Sequence, residues 1–233
     1  MVAQIVSGHY SSGARLPAER ELAQVLGASR ATLREALRRL SEWRLVEARR
    51  GSGVVVRPQR DWSFNVLPAY LRLGVSGARA RQLIVDLMAV RRALTLDLLV
   101  AAAARAAAPA GRAAGSLALI DDAWAICQRA WAARDDRQRF LLLDFAVLRR
   151  VLEAGDFMPA VWLLNDLGDV YLELAQLVAE ATETAPDYLD VYRAVFDAIE
   201  AGDIDSARRL LGAYLERTDA DLLAALEPLR GEA

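Results

Sequence analysis

The sequence has no lysine. All 29 basic residues of its 233 are arginine. A GC-rich genome accounts for that bias, and composition alone assigns the arginines no task. Cysteine and histidine occur once each, as Cys127 and His9. One cysteine excludes an intrachain disulfide and fits a reducing cytoplasm. One histidine, far from the acidic part of the chain, excludes a metal site built from several imidazoles. It also leaves no nucleophile–base pair in the acidic part, where no phosphate-binding glycine loop occurs either, so an enzyme is not expected. No signal peptide is visible at the N-terminus. The longest apolar run, 98–111, is mostly alanine and is broken by Arg105 and Pro109. It is too interrupted to span a bilayer and reads as a helix end entering a loop.

What is there is asymmetric. The formal net charge is −2, but residues 1–57 carry ten Arg and five Glu, a balance of +5. The remainder carries nineteen Arg against twenty-six acids, a balance of −7. A basic head on an acidic body points to a polyanionic partner for the head alone. The length suits one large or two modest domains, and a hydrophobic fraction of 55% is ample for a core.

The head reads as three short helices. Residues 1–10 look like the tail of one, with Val2, Ile5 and Val6 on one side and an end near Gly8. A turn at 11–16 leads to a second, with Pro17 at its first position, Glu19 and Glu21 in its first turn and Gly27 as its stop. Ser29 caps the third. There Leu33, Ala36, Leu37 and Leu40 form a core face, and Arg30, Arg34 and Arg38 form an adjacent row. Two helices joined by a tight turn make a helix-turn-helix, whose second helix enters the major groove of DNA. Residues 45–58 then read as a two-stranded hairpin with a basic, flexible tip, which makes a winged helix.

From residue 64 onward no strand is expected. Apolar residues recur at helical spacing over 64–73, 78–107, 113–132, 135–154, 157–180, 186–201 and 203–228. Leu83, Leu87, Val90 and Leu94 are one such series. The expected fold is mainly α: a winged helix-turn-helix over 1–60, then an all-α bundle of six or seven helices over 61–233.

The stretches GARLPAERELAQVLGASRATLREALRRL and LVEARRGSGVVV resemble the winged-helix signature of the GntR family of bacterial transcription regulators. The helical second half resembles the ligand domain of its FadR-like subfamily. The resemblance implies a homodimer on a pseudo-palindromic double-stranded operator, with an effector in the helical domain controlling DNA affinity. It places Arg20, Ser29, Arg30, Thr32, Arg34, Arg50 and Gly51 at the DNA. Arg38 and Arg39 fit a phosphate-adjacent position or a solvated one equally well. The family usually has glycine where Arg44 stands. Here the turn either avoids a positive φ or strains Arg44.

Most ligand domains of this type hold a divalent metal through one Asp and three His. Those positions fall on Asp144, Leu148, Tyr192 and Tyr214, so no metal or other cofactor is expected. The subgroup without these histidines includes a regulator that binds fatty acyl-CoA, and a fatty acyl-CoA or a carboxylate metabolite is the effector the resemblance implies. Leu215 and Leu222 stand where that regulator offers glycine and tryptophan. The candidate pocket residues are Arg91, Asp144, Arg149, Tyr192 and Tyr214. The tyrosines either line a pocket or plug the vacated metal site, and Arg91 or Arg149 supplies the cation a buried Asp144 needs. Trp124, Trp131 and Trp162 are expected in the core, with Cys127 as a small buried apolar residue. An alternative is an effector-independent DNA binder whose bundle serves only dimerisation.

Overall fold

The computed structural model describes residues 1–107, 116–178 and 183–225. The loop expected at 108–111, and the expected helix ends at 113–115, 179–180 and 226–228, lie outside the described residues. The chain divides into two compact units, Met1–Ala80 and Arg81–Ala233.

The first unit opens with α1 (Val2–Val6), α2 (Glu19–Val25) and α3 (Arg30–Glu42). Helix α2 starts two residues after Pro17. Ala18 precedes it without a side-chain cap, and Glu19 and Glu21 occupy the first turn, where the helix dipole favours acids. Pro17 therefore ends the incoming strand-like segment and is not the first helical residue. Ser29 caps α3, accepting from the Thr32 N–H at 3.1 Å. Leu22, Ala23 and Leu33 close the α2–α3 contact, with Leu37 packed against them.

Helix α3 ends in a Schellman motif. Arg44 N–H donates to the Ser41 carbonyl at 3.0 Å and Leu45 N–H to the Leu40 carbonyl at 2.9 Å. Arg44 takes the left-handed position with φ 56°, and Leu45 packs in the same cluster as Leu40. The missing glycine thus leaves the turn unchanged and strains Arg44.

Strands β1 (Val46–Arg49) and β2 (Gly53–Val56) pair antiparallel, Val46 opposite Val56 and Arg49 opposite Gly53. Ser52 N–H closes the tip onto the Arg49 carbonyl at 3.0 Å, with Gly51 at φ 78°. The segment before α2 adds a third ribbon to this wing. Leu16 N–H donates to Val54 O and Val56 N–H to Ala14 O, each at 2.9 Å. Two 3-10 turns and α4 (Leu67–Leu73) follow. Helix α4 packs on α1, and Tyr70 meets Trp62 edge to face at 5.8 Å in the head's core. The head therefore extends about twenty residues past the expected boundary at 60, because α4 covers apolar surface that the three short helices leave open.

The second unit holds α5 (Gly77–Ala107, whose first turn falls in the head), α6 (Ser116–Ala132), α7 (Arg137–Ala154), α8 (Met158–Val178), α9 (Tyr188–Glu200) and α10 (Ile204–Ala225). Helices α6, α7 and α9 build most of the core through Ala123, Cys127, Ala130, Phe140, Val151, Leu152, Tyr188, Val195 and Phe196. Trp124 and Trp131 pack against it and Cys127 is fully buried, as expected. Trp162 is a correction: 61% of it is exposed on α8. Helix α8 is apolar on more than one face, so helical spacing alone cannot say which face is inward.

Candidate functional site

Arg20, Ser29, Arg30, Thr32, Arg34, Arg50 and Gly51 are all exposed on the head. They come from the first turn of α2, the first half of α3 and the wing tip. Packing holds the backbone beneath the five helix positions, since each lies within four residues of buried Leu22 or Leu33. The Ser29 hydroxyl shares a 2.8 Å hydrogen bond with Thr32 Oγ1, which gathers two hydroxyls at the helix start, a position suited to phosphate oxygens.

The arginines divide by their partners. Arg20, Arg30, Arg39 and Arg50 have no ion pair among the described residues. Arg34 donates through Nε to Glu19 Oε2 at 2.9 Å. Arg38 is fully engaged: Nε and Nη2 bond Glu35 at 3.2 Å and Nη1 bonds Glu42 at 2.5 Å. Of the two residues left open by the sequence, Arg39 stays available to a phosphate and Arg38 is neutralised within its own helix.

In the helical unit, Asp144 sits on α7 facing α9. Tyr192 Oη donates to its Oδ1 at 2.9 Å and Tyr188 Oη at 3.0 Å. Tyr214 closes the group edge-on, with its ring centroid 6.0 Å from Tyr192 and 6.3 Å from Tyr188. All three tyrosines are buried. Phe140 and Trp131 extend the ring stack around Tyr188. The aromatic rings fill the space around the carboxylate, and burial pushes each of the three phenols above its ordinary value.

Burial also raises Asp144 above the usual carboxylate range, against the pull of Tyr192, Tyr188, Arg91 and Arg137. Arg91 is present as the sequence suggested, but its direct partner is Asp219, which its Nη2 reaches at 2.5 Å. Arg149 lies elsewhere: it is half exposed and its Nε bonds Glu153 at 3.1 Å. The second cation bearing on Asp144 is Arg137, which lies over the Phe140 ring at 4.8 Å and donates to Thr184 Oγ1 at 2.8 Å.

Three residues at or beside the Asp144 cluster are not among those expected from the sequence: Tyr188, Arg137 and Asp219. Tyr188 and Arg137 were findable, because each lies on the helical face of a residue already singled out. Tyr188 is one turn before Tyr192, and Arg137 is two turns before Asp144. Asp219 was not, since its partners are more than a hundred residues away.

The donors here do not fit a divalent metal ion. Leu148 and the two ring-locked tyrosines replace imidazoles, and Oδ1 of Asp144 already accepts two hydroxyls. Among the described residues no group of three or more His, Cys, Asp or Glu is arranged to hold a metal.

The raised Asp144 has a testable consequence. The folded chain keeps its proton to a higher pH than the unfolded chain, where Asp ionises at about 3.9. Its contribution to stability therefore falls as pH rises through that value toward the folded one. The Asp144→Asn variant should gain on the wild type in urea unfolding as pH goes from about 3 to about 7. A stability difference that stays flat or moves the other way contradicts this assignment.

Comparison with known proteins gives the frame for both sites. Residues 1–56 match the model of bacterial regulatory proteins of the gntR family, and residues 86–217 match the FCD domain. A helix-turn-helix transcriptional regulator of Mycobacterium tuberculosis is 31% identical over 222 residues, covering 91% of this chain and 81% of that one.

The chain belongs to the GntR family.

The galactonate operon transcriptional repressor of Escherichia coli is a similar GntR relative, 32% identical with 88% of this chain and 86% of that one covered. The fatty acid metabolism regulator protein of Klebsiella pneumoniae is 26% identical, covering 92% and 84%. Among solved structures, Lar, which controls the expression of the Listeria monocytogenes agr system, shares the fold. Its TM-score is 0.55 at 15% identity, covering 98% of this chain and 93% of that one. This is a GntR-family transcriptional regulator with an FCD effector-binding domain, and its relatives are regulators, not enzymes. Among the described residues no helix is long and apolar enough to cross a membrane.

Proposed function

We propose that this GntR regulator binds a pseudo-palindromic operator as a cytoplasmic homodimer and that a small anionic effector in the helical domain controls the binding. The observation that carries the DNA reading is the exposed set Arg20, Arg30, Arg34 and Arg50 on a rigid helix-turn-helix and wing, in a head of net charge +5. Arginine forks match guanine O6 and N7, and the hydroxyls of Ser29 and Thr32 suit phosphate.

A second copy has a surface to use. Leu83, Leu87, Val90 and Leu94 follow the alternating four–three spacing of a coiled-coil seam. Yet only Leu99, Ala102 and Ala103 of the described α5 side chains are buried, and Val90 is 51% exposed.

The effector site in this reading is the Asp144 cluster with Arg91 and Arg137, and fatty acyl-CoA is the first candidate. Its entry requires the tyrosine rings to part, so effector-bound and effector-free domains must differ in structure, which is what coupling to DNA requires. A second reading is favoured by the same rings and by buried Leu215 and Leu222: the cluster is a permanent plug and the bundle only dimerises.

The experiment is fluorescence anisotropy at fixed salt on DNA from upstream of the protein's own gene. The Arg34→Ala variant should bind more weakly by about 1–3 kcal/mol. Unchanged affinity in a folded variant removes Arg34 from the interface. Release of the wild type by long-chain acyl-CoA, at two chains per operator, supports the effector reading. No release removes acyl-CoA and leaves the cluster to another ligand or to none.

A further inference from the structure

Glu19 belongs to α2, but its carboxylate reaches the reading helix. Its Oε2 accepts from Arg34 Nε at 2.9 Å, the one ion pair between α2 and α3 among the described residues. Which nitrogen it takes matters. A guanidinium carries five N–H donors on a flat fork, and an end-on contact to guanine O6 and N7 uses the terminal Nη1 and Nη2. The Glu19 bond uses Nε from the side. It leaves both terminal nitrogens without an intrachain bond among the described residues, on a side chain 72% exposed. Arg38, one turn further along the same row, shows the opposite pattern, with all three nitrogens held by Glu35 and Glu42.

A long exposed arginine samples many rotamers, and ordering one on binding opposes affinity. A carboxylate that grips Nε fixes the plane of the fork before the DNA arrives. The same carboxylate, placed at the DNA-facing side of the head, repels phosphates and so weakens sequence-independent binding. Positioning strengthens operator binding alone, whereas repulsion weakens binding to every duplex, so comparing the two DNAs separates positioning from plain electrostatics.

We infer that Glu19 is a positioning residue for base readout: it presents Arg34 end-on to one guanine and so contributes to operator specificity without touching a base. The inference rests on the DNA reading above.

The test compares wild type, Glu19→Ala, Glu19→Gln, Arg34→Ala and the Glu19→Ala/Arg34→Ala double variant, each checked for folding by circular dichroism. The measured quantity is the ratio of affinity for the operator to affinity for an unrelated duplex of equal length, at one salt concentration. Glu19→Ala should lower that ratio at least about fivefold, the lower edge of a bidentate base contact, while affinity for the unrelated duplex stays equal or rises. Glu19→Gln keeps an acceptor oxygen at the same reach and should restore most of the ratio. With Arg34 already replaced, Glu19→Ala should change the ratio by less than about twofold, as a shared interaction demands. An unchanged ratio in Glu19→Ala, or an equal loss with and without Arg34, overturns the inference while leaving the DNA reading intact. A wild type with no preference for the operator overturns both.

Discussion

Asp219→Ala is expected to lower the stability of the helical domain by about 2–4 kcal/mol, toward the range for removing one partner of a buried ion pair. Asp219 is only 4% exposed. It clamps two consecutive arginines of α5, accepting from Arg91 on Oδ1 at 2.5 Å and from Arg92 on Oδ2 at 3.1 Å. Burial pushes its carboxyl above the usual range, and Arg91 and Arg92 pull it back down. The arginines are only partly covered, so solvent screens some of the loss and the estimate stays below the top of that range. The clamp also carries mechanical weight. The buried side chains of α5 lie at its C-terminal end, so the middle of the helix is tied to α10 by Asp219, by the bond from Arg208 to Asp97 at 2.6 Å and by Leu96 lying against Gly212. Asp219→Asn keeps one acceptor and should cost less than alanine. Urea unfolding followed by circular dichroism reads both. A loss under about 1 kcal/mol for alanine would mean that the pair adds little beyond a surface salt bridge.

Gly155→Ala is expected to cost about 2–3 kcal/mol, the upper part of the range for forcing atoms into a packed interior. Gly155 ends α7 where α5 crosses. A Cβ there would sit 2.6 Å from the carbonyl oxygen of Ala102 and 2.8 Å from its Cα. Both are backbone atoms of a helix and cannot swing aside. The corner is further fixed by Arg105, which donates to the carbonyls of Gly155 at 2.8 Å and Asp156 at 3.1 Å and lies over the Phe157 ring. Gly168, mid-way along α8, is the contrast. Its added Cβ would meet Phe145 at 3.5 Å, an ordinary contact. There alanine should stabilise by about 0.5–1 kcal/mol through helix propensity. Equal effects at the two positions in thermal unfolding would contradict the crossing argument.

The head was largely legible because its signals are local. The apolar spacing of Leu33, Leu37 and Leu40, the Ser29 cap and the glycines of the wing tip each act within a few residues. The bundle helices were legible for the same reason, and Gly155 stands in the gap between the expected helices 135–154 and 157–180. Its steric reason was not, since that depends on α5 crossing it. Helix α4 packs with the head, which helical spacing could not show, because it says nothing about which core a helix joins. Trp162 and Arg149 failed in a related way. On helices with apolar residues around much of their girth, periodicity marks a helix without marking its inner face. At the Asp144 cluster the carboxylate and two tyrosines came from the resemblance. The rest follows from geometry: Arg137 and Tyr188 share a face with those residues, and Arg149 does not. Glu19 was read only as a helix-dipole acid, and its bond to Arg34 depends on how α2 packs across α3.

The most direct measurement for the central claim is a competition experiment by fluorescence anisotropy. Labelled DNA from upstream of the protein's own gene is bound at fixed salt, then challenged with the same DNA unlabelled or with an unrelated duplex of equal length. A head that reads bases through α3 and the wing should release its DNA to the specific competitor at concentrations about a thousandfold lower, or less still, than to the unrelated one. Equal competition by the two duplexes would contradict the account.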